Sequence, residues 1–234
     1  MKYENDIRAI HNKNVLFIDL ETTGFPAKKH RDFRPYMGHT EYYDTTMVDK
    51  YEGSRIVQVA WWLMKVDNNI TNYDVSSYIR KPNGFDIPHD STLIHGIDTT
   101  MAKQKGYGLK KIMNYFGLKN AIMTADYLVA YNACFDINVL MSELYRYNWH
   151  KTYTKMENMC KMGKIICVGE LMRDIAKIHG FNGYLKMPRL FESYKHFYGK
   201  PFENMHNAKY DVIAMIEICE KMLQLIEEKK IERR

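Results

Sequence analysis

The chain has 234 residues, 46% of them hydrophobic and 26% charged, the proportions of a folded globular domain rather than a disordered or fibrous chain. Lys and Arg outnumber Asp and Glu, 34 to 28, a mild basic bias compatible with a polyanionic partner. The opening residues, MKYENDIRAIHNKN, lack a signal-peptide apolar segment, and the longest apolar run, Val59 to Met64, is far shorter than the roughly 20 residues that span a bilayer. No membrane association is therefore expected. The cysteines (Cys134, Cys160, Cys167, Cys219) form no CxxC pair, which predicts reduced thiols and a cytoplasmic protein.

In chain order, residues 14–19 read as a first strand, 55–64 as a second and 73–80 as a third. Asn68-Asn69 marks a hairpin turn between the last two. Trp61 and Trp62 fit sheet packing better than ligand stacking. Residues 81–88 read as a loop, and Ile94-His95-Gly96 falls at a helix boundary. Helical patterns follow at 98–105 and 108–118. Tyr127 to Tyr131, a continuous apolar run, reads as a fully buried strand, leading into a helix over 135–147. Residues 148–169 read as a basic, Met-rich connector, followed by helices near 168–179, 187–198 and 208–228. Strands followed by alternating helices and a buried strand predict one α/β domain over 1–234, with a mixed sheet flanked by helices.

Against that pattern, the end of the first strand is costly. FIDLETTG (17–24) follows its apolar run with Asp19 and Glu21, which alternation places on one face. Two like charges there repel and resist desolvation. Two more clusters supply partners. Asp136, in NACFD, sits at a strand-to-helix junction, and HNAKYD (206–211) opens the last helix. Within one regular helix His206 and Asp211 would lie about 140° apart; with His206 in the preceding loop they can converge. Singly, each has a plain structural explanation, such as a carboxylate complementing a helix dipole. Together, four carboxylates and a loop histidine suit phosphodiester hydrolysis with two Mg²⁺ or Mn²⁺ ions, which favour oxygen ligands and would offset the carboxylate repulsion. A histidine can take a proton from water near neutral pH.

FIDLETTG, YNACFD and HNAKYD resemble the three motifs of the DnaQ-like 3′–5′ exonucleases of the DEDDh group, over about residues 14–223. RIVQVAW and SxLIHGI (91–97) are similar to further elements of that family. The resemblance implies an RNase H-like fold, with Asp19, Glu21, Asp136 and Asp211 as metal ligands and His206 as general base. It also implies that Leu20, Thr22, Thr23 and Gly24 bring backbone close to a terminal nucleotide, with Ile94 and His95 against its base and Asn132 and Phe135 opposite. Position 207 is Asn, so the sister group's Tyr is missing and the His version fits. Tyr131 departs from the pattern, since many relatives carry His there. The implied activity is removal of nucleoside 5′-monophosphates from 3′ ends of single-stranded DNA, in preference to RNA, with a DNA polymerase as a conceivable partner. The alternative is a non-catalytic nucleic-acid-binding or polymerase-accessory subunit that keeps the fold.

The segment 25–54 stands apart. Lys28, Lys29, His30, Arg31 and Arg34 interleave there with Tyr36, Tyr42, Tyr43 and Tyr51. It reads either as a single-strand binding stretch or as a surface loop whose tyrosines pack locally.

Overall fold

The computed structural model describes residues 2–29, 42–65, 73–181 and 183–232. Its centre is a five-stranded sheet in the order β3-β2-β1-β4-β5, where β1 is Val15–Thr22, β2 Ile56–Met64, β3 Ser76–Ile79, β4 Tyr127–Ala130 and β5 Ile165–Cys167. β1 is antiparallel to β2 and β2 to β3, while β4 runs parallel to both β1 and β5. This mixed sheet with helices on both faces is the expected RNase H-like architecture.

Alternation along β1 divides the core in two. Leu16, Ile18 and Leu20 pack with Trp61, Leu128 and the helix α6 (Ala133–Arg146). Val15 and Phe17 pack on the opposite face with Trp62, Val129 and the last helix, α10 (Ala208–Glu232). Each helix carries a matching stripe: Ile137, Leu140, Met141 and Leu144 on α6, and Val212, Met215, Ile216 and Met222 on α10, all buried. Each such side chain contributes about 1.5–3 kcal/mol by leaving water. By the same alternation, Asp19 and Glu21 point to the α10 face.

Several elements differ from the sequence-based expectations. The 148–169 connector holds a helix, α7 (His150–Lys161), and the edge strand β5. Thr152, Met156 and Met159 form the buried face of α7, a stripe too thin to stand out among Lys, Asn and Glu. The pattern over 108–118 breaks at Gly117 (φ +91) into α4 (Leu109–Asn114) and α5 (Leu118–Thr124). A first helix, α1 (Lys2–Ile10), was not expected. The helices α2 (His89–His95), α3 (Thr99–Lys105), α8 (Val168–Ala176) and α9 (Leu190–Tyr198) lie close to the predicted positions. Trp61 and Trp62 are buried in the sheet, as expected. The turn at Asn68-Asn69 lies outside the described residues. Among the described residues no helix is long and apolar enough to cross a membrane.

Candidate active site

The carboxylates meet where β1 outruns its neighbour. Pairing between β1 and β4 ends at Phe17 and Val129, and β4 stops at Ala130, so β1 continues through Asp19 and Glu21 without a partner on that side. Into this gap α6 sends Asp136 from its first turn. Asp136 is buried and its Oδ1 accepts the backbone N–H of Leu20 at 3.2 Å. From the other face α10 brings Asp211, also buried. Oxygens of Asp19, Glu21 and Asp211 lie within 4.8 Å of one another, the only such group of three or more metal-binding side chains among the described residues.

This arrangement is electrostatically expensive. Burial pushes the Asp19 carboxyl up to about 7. Burial, with the charges of Asp19 and Asp136, pushes Glu21 up to about 9. Burial, with Asp19 and Glu21, raises Asp211 to about 9 despite a hydrogen bond from the His206 backbone. Asp136 is likewise raised well above its usual range, by burial first and then by Asp19. Oδ1 of Asp211 is buried with no hydrogen-bond partner among the described residues. A crowded all-oxygen donor set with an orphaned lone pair fits a hard divalent cation.

His206 stands in the turn before α10, with a left-handed backbone (φ +62) and an exposed side chain. Helix α10 starts only at Ala208, so His206 and Asp211 do not share one regular helix. Both line a cleft of about 160 Å³ with Asp19, Glu21, Asn132 and Asp136. A larger cavity of about 340 Å³, between α1, α10 and the β1–β2 ladder, lies away from this group.

The remaining predicted residues fall into distinct roles. Leu20 lines the cleft, but its side chain is in the core; what it offers the site is its backbone N–H. Thr23 is fixed at the strand exit: its N–H donates to the Arg55 carbonyl, and its Oγ1 accepts from the Arg55 N–H and donates to Gly53. Thr22 Oγ1 donates to the Gly24 carbonyl at 2.8 Å. Gly24 has φ +149, and a Cβ there would stand 3.0 Å from the Gly53 carbonyl oxygen, so the turn calls for glycine. Ser91 of α2 donates to the Thr23 carbonyl at 2.6 Å, which holds α2 beside this turn. Ile94, on the same helix, is exposed. His95 is half-buried, its Nδ1 accepting from the Ile97 N–H. Burial and then the charge of His206 hold His95 below the usual histidine range, with the Thr22 backbone opposing. Asn132 and Phe135 line the cleft.

Two residues that line the cleft, and one that touches its wall, were not among the predicted site residues. Phe25, directly after the Gly24 turn, is 68% exposed with its ring 5.4 Å from that of Phe135; its signal was an aromatic adjoining the motif. Tyr131 and Leu190 line the cleft itself. The Tyr131 hydroxyl donates to the Pro188 carbonyl at 2.8 Å and lies 2.6 Å from Ser193 Oγ. The residue that departs from the family pattern thus ties β4 to the start of α9 and brings Leu190 to the wall. Leu190 carried no sequence signal. In the 25–54 segment, His30, Arg31, Arg34 and Tyr36 lie outside the described residues. Of the others, Tyr51 is fully buried and donates to the Tyr43 carbonyl, while Lys28 sits over the Phe25 ring at 5.8 Å.

Residues 43–219 match the family model described as exonuclease. The chain belongs to this exonuclease family. The matched stretch starts after β1, and the structure joins the Asp19–Glu21 pair to it by setting β1 at the centre of the same sheet. No curated protein matches the sequence. Among solved structures, the fold is similar to the zinc-bound complex of E. coli exonuclease I with single-stranded DNA, at TM-score 0.60 and 19% identity over 94% of this chain. It is similar too to that enzyme with a dT13 oligonucleotide, at TM-score 0.61 and 18% identity over 94% of this chain. The chain spans 42% and 43% of the length of those two proteins.

Proposed function

We propose that the chain is a metal-dependent 3′–5′ exonuclease that hydrolyses the terminal phosphodiester of single-stranded DNA and releases nucleoside 5′-monophosphates. The observation that carries this reading is the convergence of Asp19, Glu21 and Asp211 within 4.8 Å, in one cleft with Asp136 and His206. A module that only bound nucleic acid would gain nothing from desolvated carboxylates, which repel phosphate.

Asp19, Glu21 and Asp211 would hold Mg²⁺ or Mn²⁺, with Asp136 contributing through the oxygen not committed to Leu20. Two such ions, when bound, would offset the carboxylate charge, activate water and stabilise charge on the leaving 3′ oxygen. His206, exposed beside the carboxylates, takes the attacking water's proton. The turn at Thr23 and Gly24 offers a rigid backbone surface to the terminal sugar. Phe25 and Phe135 present rings for its base, and Lys28 places a cation beside them. DNA is favoured because the similar structures named above hold single-stranded DNA.

The test is hydrolysis of 5′-labelled single-stranded DNA, single-stranded RNA and a mismatched primer-template, each with Mg²⁺, Mn²⁺ or EDTA. The expected result is stepwise shortening from the 3′ end of the DNA strand, abolished by EDTA. Absence of shortening in either metal refutes the proposal.

A further inference from the structure

The chain's positive charge does not reside in the basic, aromatic segment 25–54, which holds five basic and five acidic residues. Residues 177–200 instead hold Lys177, Lys186, Arg189, Lys195 and Lys200 against Glu192 alone, a net +4 of the chain's +6. This part of the chain begins as a hairpin. After α8, Lys177 takes a left-handed conformation (φ +50), and His179 pairs with Leu185 in an antiparallel bridge. The Gly180 N–H donates to the Tyr184 carbonyl at 2.8 Å and the Lys186 N–H to the Ile178 carbonyl at 2.9 Å. Around its turn stand Phe181, fully exposed, and Tyr184, 59% exposed. An aromatic ring left wholly in water contributes nothing to the core and is available to a partner.

The foot of the hairpin leads to the active site. Glu192 is engaged there, accepting from Lys186 Nζ at 2.8 and 2.9 Å and from the Arg189 N–H at 2.7 Å. Lys177, Lys195 and Lys200 are in no ion pair among the described residues. Arg189 and Phe191 then line a pocket of about 220 Å³ that also includes Phe202, Met205, His206 and Asp211. One wall of this pocket is therefore catalytic, and the other is the foot of the hairpin.

From this placement we propose that the hairpin and the pocket beneath it form a second nucleic-acid contact, which holds the single strand on the 5′ side of the scissile bond. Phe191 and Phe202 flank one base, Phe181 and Tyr184 stack on bases further along, and Lys177 and Arg189 meet phosphates. Stacking of this kind accepts any base, because every base has a π-face. Eight residues separate Phe181 from Arg189, so the aromatic tip lies at most about 29 Å from the pocket, a distance that twelve nucleotides cover even at the compact duplex rise of about 3.4 Å each. The inference rests on the exonuclease reading for the polarity of the strand, but not for the contact itself.

The test compares the full chain with Phe181→Ala and Lys177→Gln. Phe181 is fully exposed, so its truncation leaves the core intact. Binding of fluorescent oligothymidylates of three and twelve nucleotides is measured in EDTA, alongside hydrolysis of thymidine 5′-(p-nitrophenyl phosphate) in Mn²⁺. Phe181→Ala is expected to weaken the twelve-mer about tenfold, the size of one lost stacking contact, with the three-mer and the small ester within about twofold of wild type. Lys177→Gln is expected to flatten the salt dependence for the twelve-mer by about one unit of slope or less. Wild-type affinity of both variants for the twelve-mer overturns the proposal, as does an equal loss on the three-mer. If the wild type does not hydrolyse the ester yet its twelve-mer affinity depends on Phe181, the contact stands and the exonuclease reading falls.

Discussion

The backbone N–H of Leu20 donates to Oδ1 of Asp136 at 3.2 Å, so the strand that carries the first two carboxylates also fixes the third. The bond is possible because β4 ends early: beyond Phe17, β1 has no parallel neighbour among the described residues, and its buried N–H needs another acceptor. Asp136 meets that need while lining the cleft. Fold and site share this contact, and substitution can separate the two roles.

Asp136→Asn keeps an acceptor for Leu20 but lowers the ligand charge, whereas Asp136→Ala removes both. Turnover should fall by several orders of magnitude in each. Stability should part them: the asparagine variant unfolding close to wild type in urea, the alanine variant losing about 1–3 kcal/mol from an unpaired buried N–H. Equal stability of the two variants would show that the bond contributes little.

The raised carboxylates set the pH dependence of the metal-free protein. Asp19, Glu21 and Asp211 titrate at about 7, 9 and 9 in the fold, and near 4 when unfolded. The folded state therefore binds more protons than the unfolded state across that interval, and stability falls as pH rises through it. In EDTA the Tm should decline steadily from pH 5 to pH 9. Mn²⁺ should restore it, and more at pH 8.5 than at pH 5.5, because the metal competes with those protons. Asp211→Asn should raise the Tm in EDTA at pH 8.5 while abolishing activity. A Tm in EDTA that climbs between pH 5 and pH 9 would contradict the assigned burial of these groups.

Much of the site was legible because its cost shows in the residues. Asp19 and Glu21 end an apolar run where only a compensating partner makes them tolerable, and Asp136 and Asp211 each sit beside a clear strand or helix boundary. Period and burial likewise identified β1, β2, β4, α6 and α10. What escaped notice has physical causes. The buried face of α7 is Thr152, Met156 and Met159, too sparse for periodicity, and β5 is three residues long on a sheet edge. Leu190 reaches the cleft only because Tyr131 ties α9 to β4, a pairing across more than fifty residues that no local pattern reports. The Leu20 side chain points to the core because a strand alternates, which the motif alone does not convey.

Glu143 of α6 accepts from Arg55 Nε at 2.8 Å and Arg80 Nη1 at 2.6 Å, all three side chains being buried. Because Arg55 also pairs through its backbone with Thr23, this cluster links α6 to the turn after Glu21. Burial alone would push the Glu143 carboxyl up, but Arg80 and Arg55 outweigh it and hold the group below its usual range. Its contribution is thus present above the unfolded value and is lost as pH falls through the folded one. Glu143→Ala leaves the Arg80 guanidinium buried without its anion and Arg55 with Glu52 alone, and should cost about 3–5 kcal/mol in urea unfolding. Arg80→Met with Glu143→Leu, which removes charge from both sides, should recover part of that loss. A Glu143→Ala protein as stable as wild type would mean that water has replaced the anion.

His206 is best tested by asparagine, since its backbone lies at φ +62, a region asparagine adopts more readily than alanine. If His206 takes the proton from the attacking water, kcat at saturating oligothymidylate should rise with pH across the range where a histidine becomes neutral. His206→Asn should lower kcat by about two to four orders of magnitude and remove that limb. Water on a divalent cation can titrate in a similar range, so the profile is taken in Mg²⁺ and again in Mn²⁺. A limb that belongs to His206 keeps its position in both metals, whereas one that belongs to water moves. Affinity for the oligomer in EDTA should remain near wild type, because the side chain is exposed at the cleft mouth and holds no part of the core. A variant that keeps the wild-type rise with pH, at whatever rate, excludes His206 as the base.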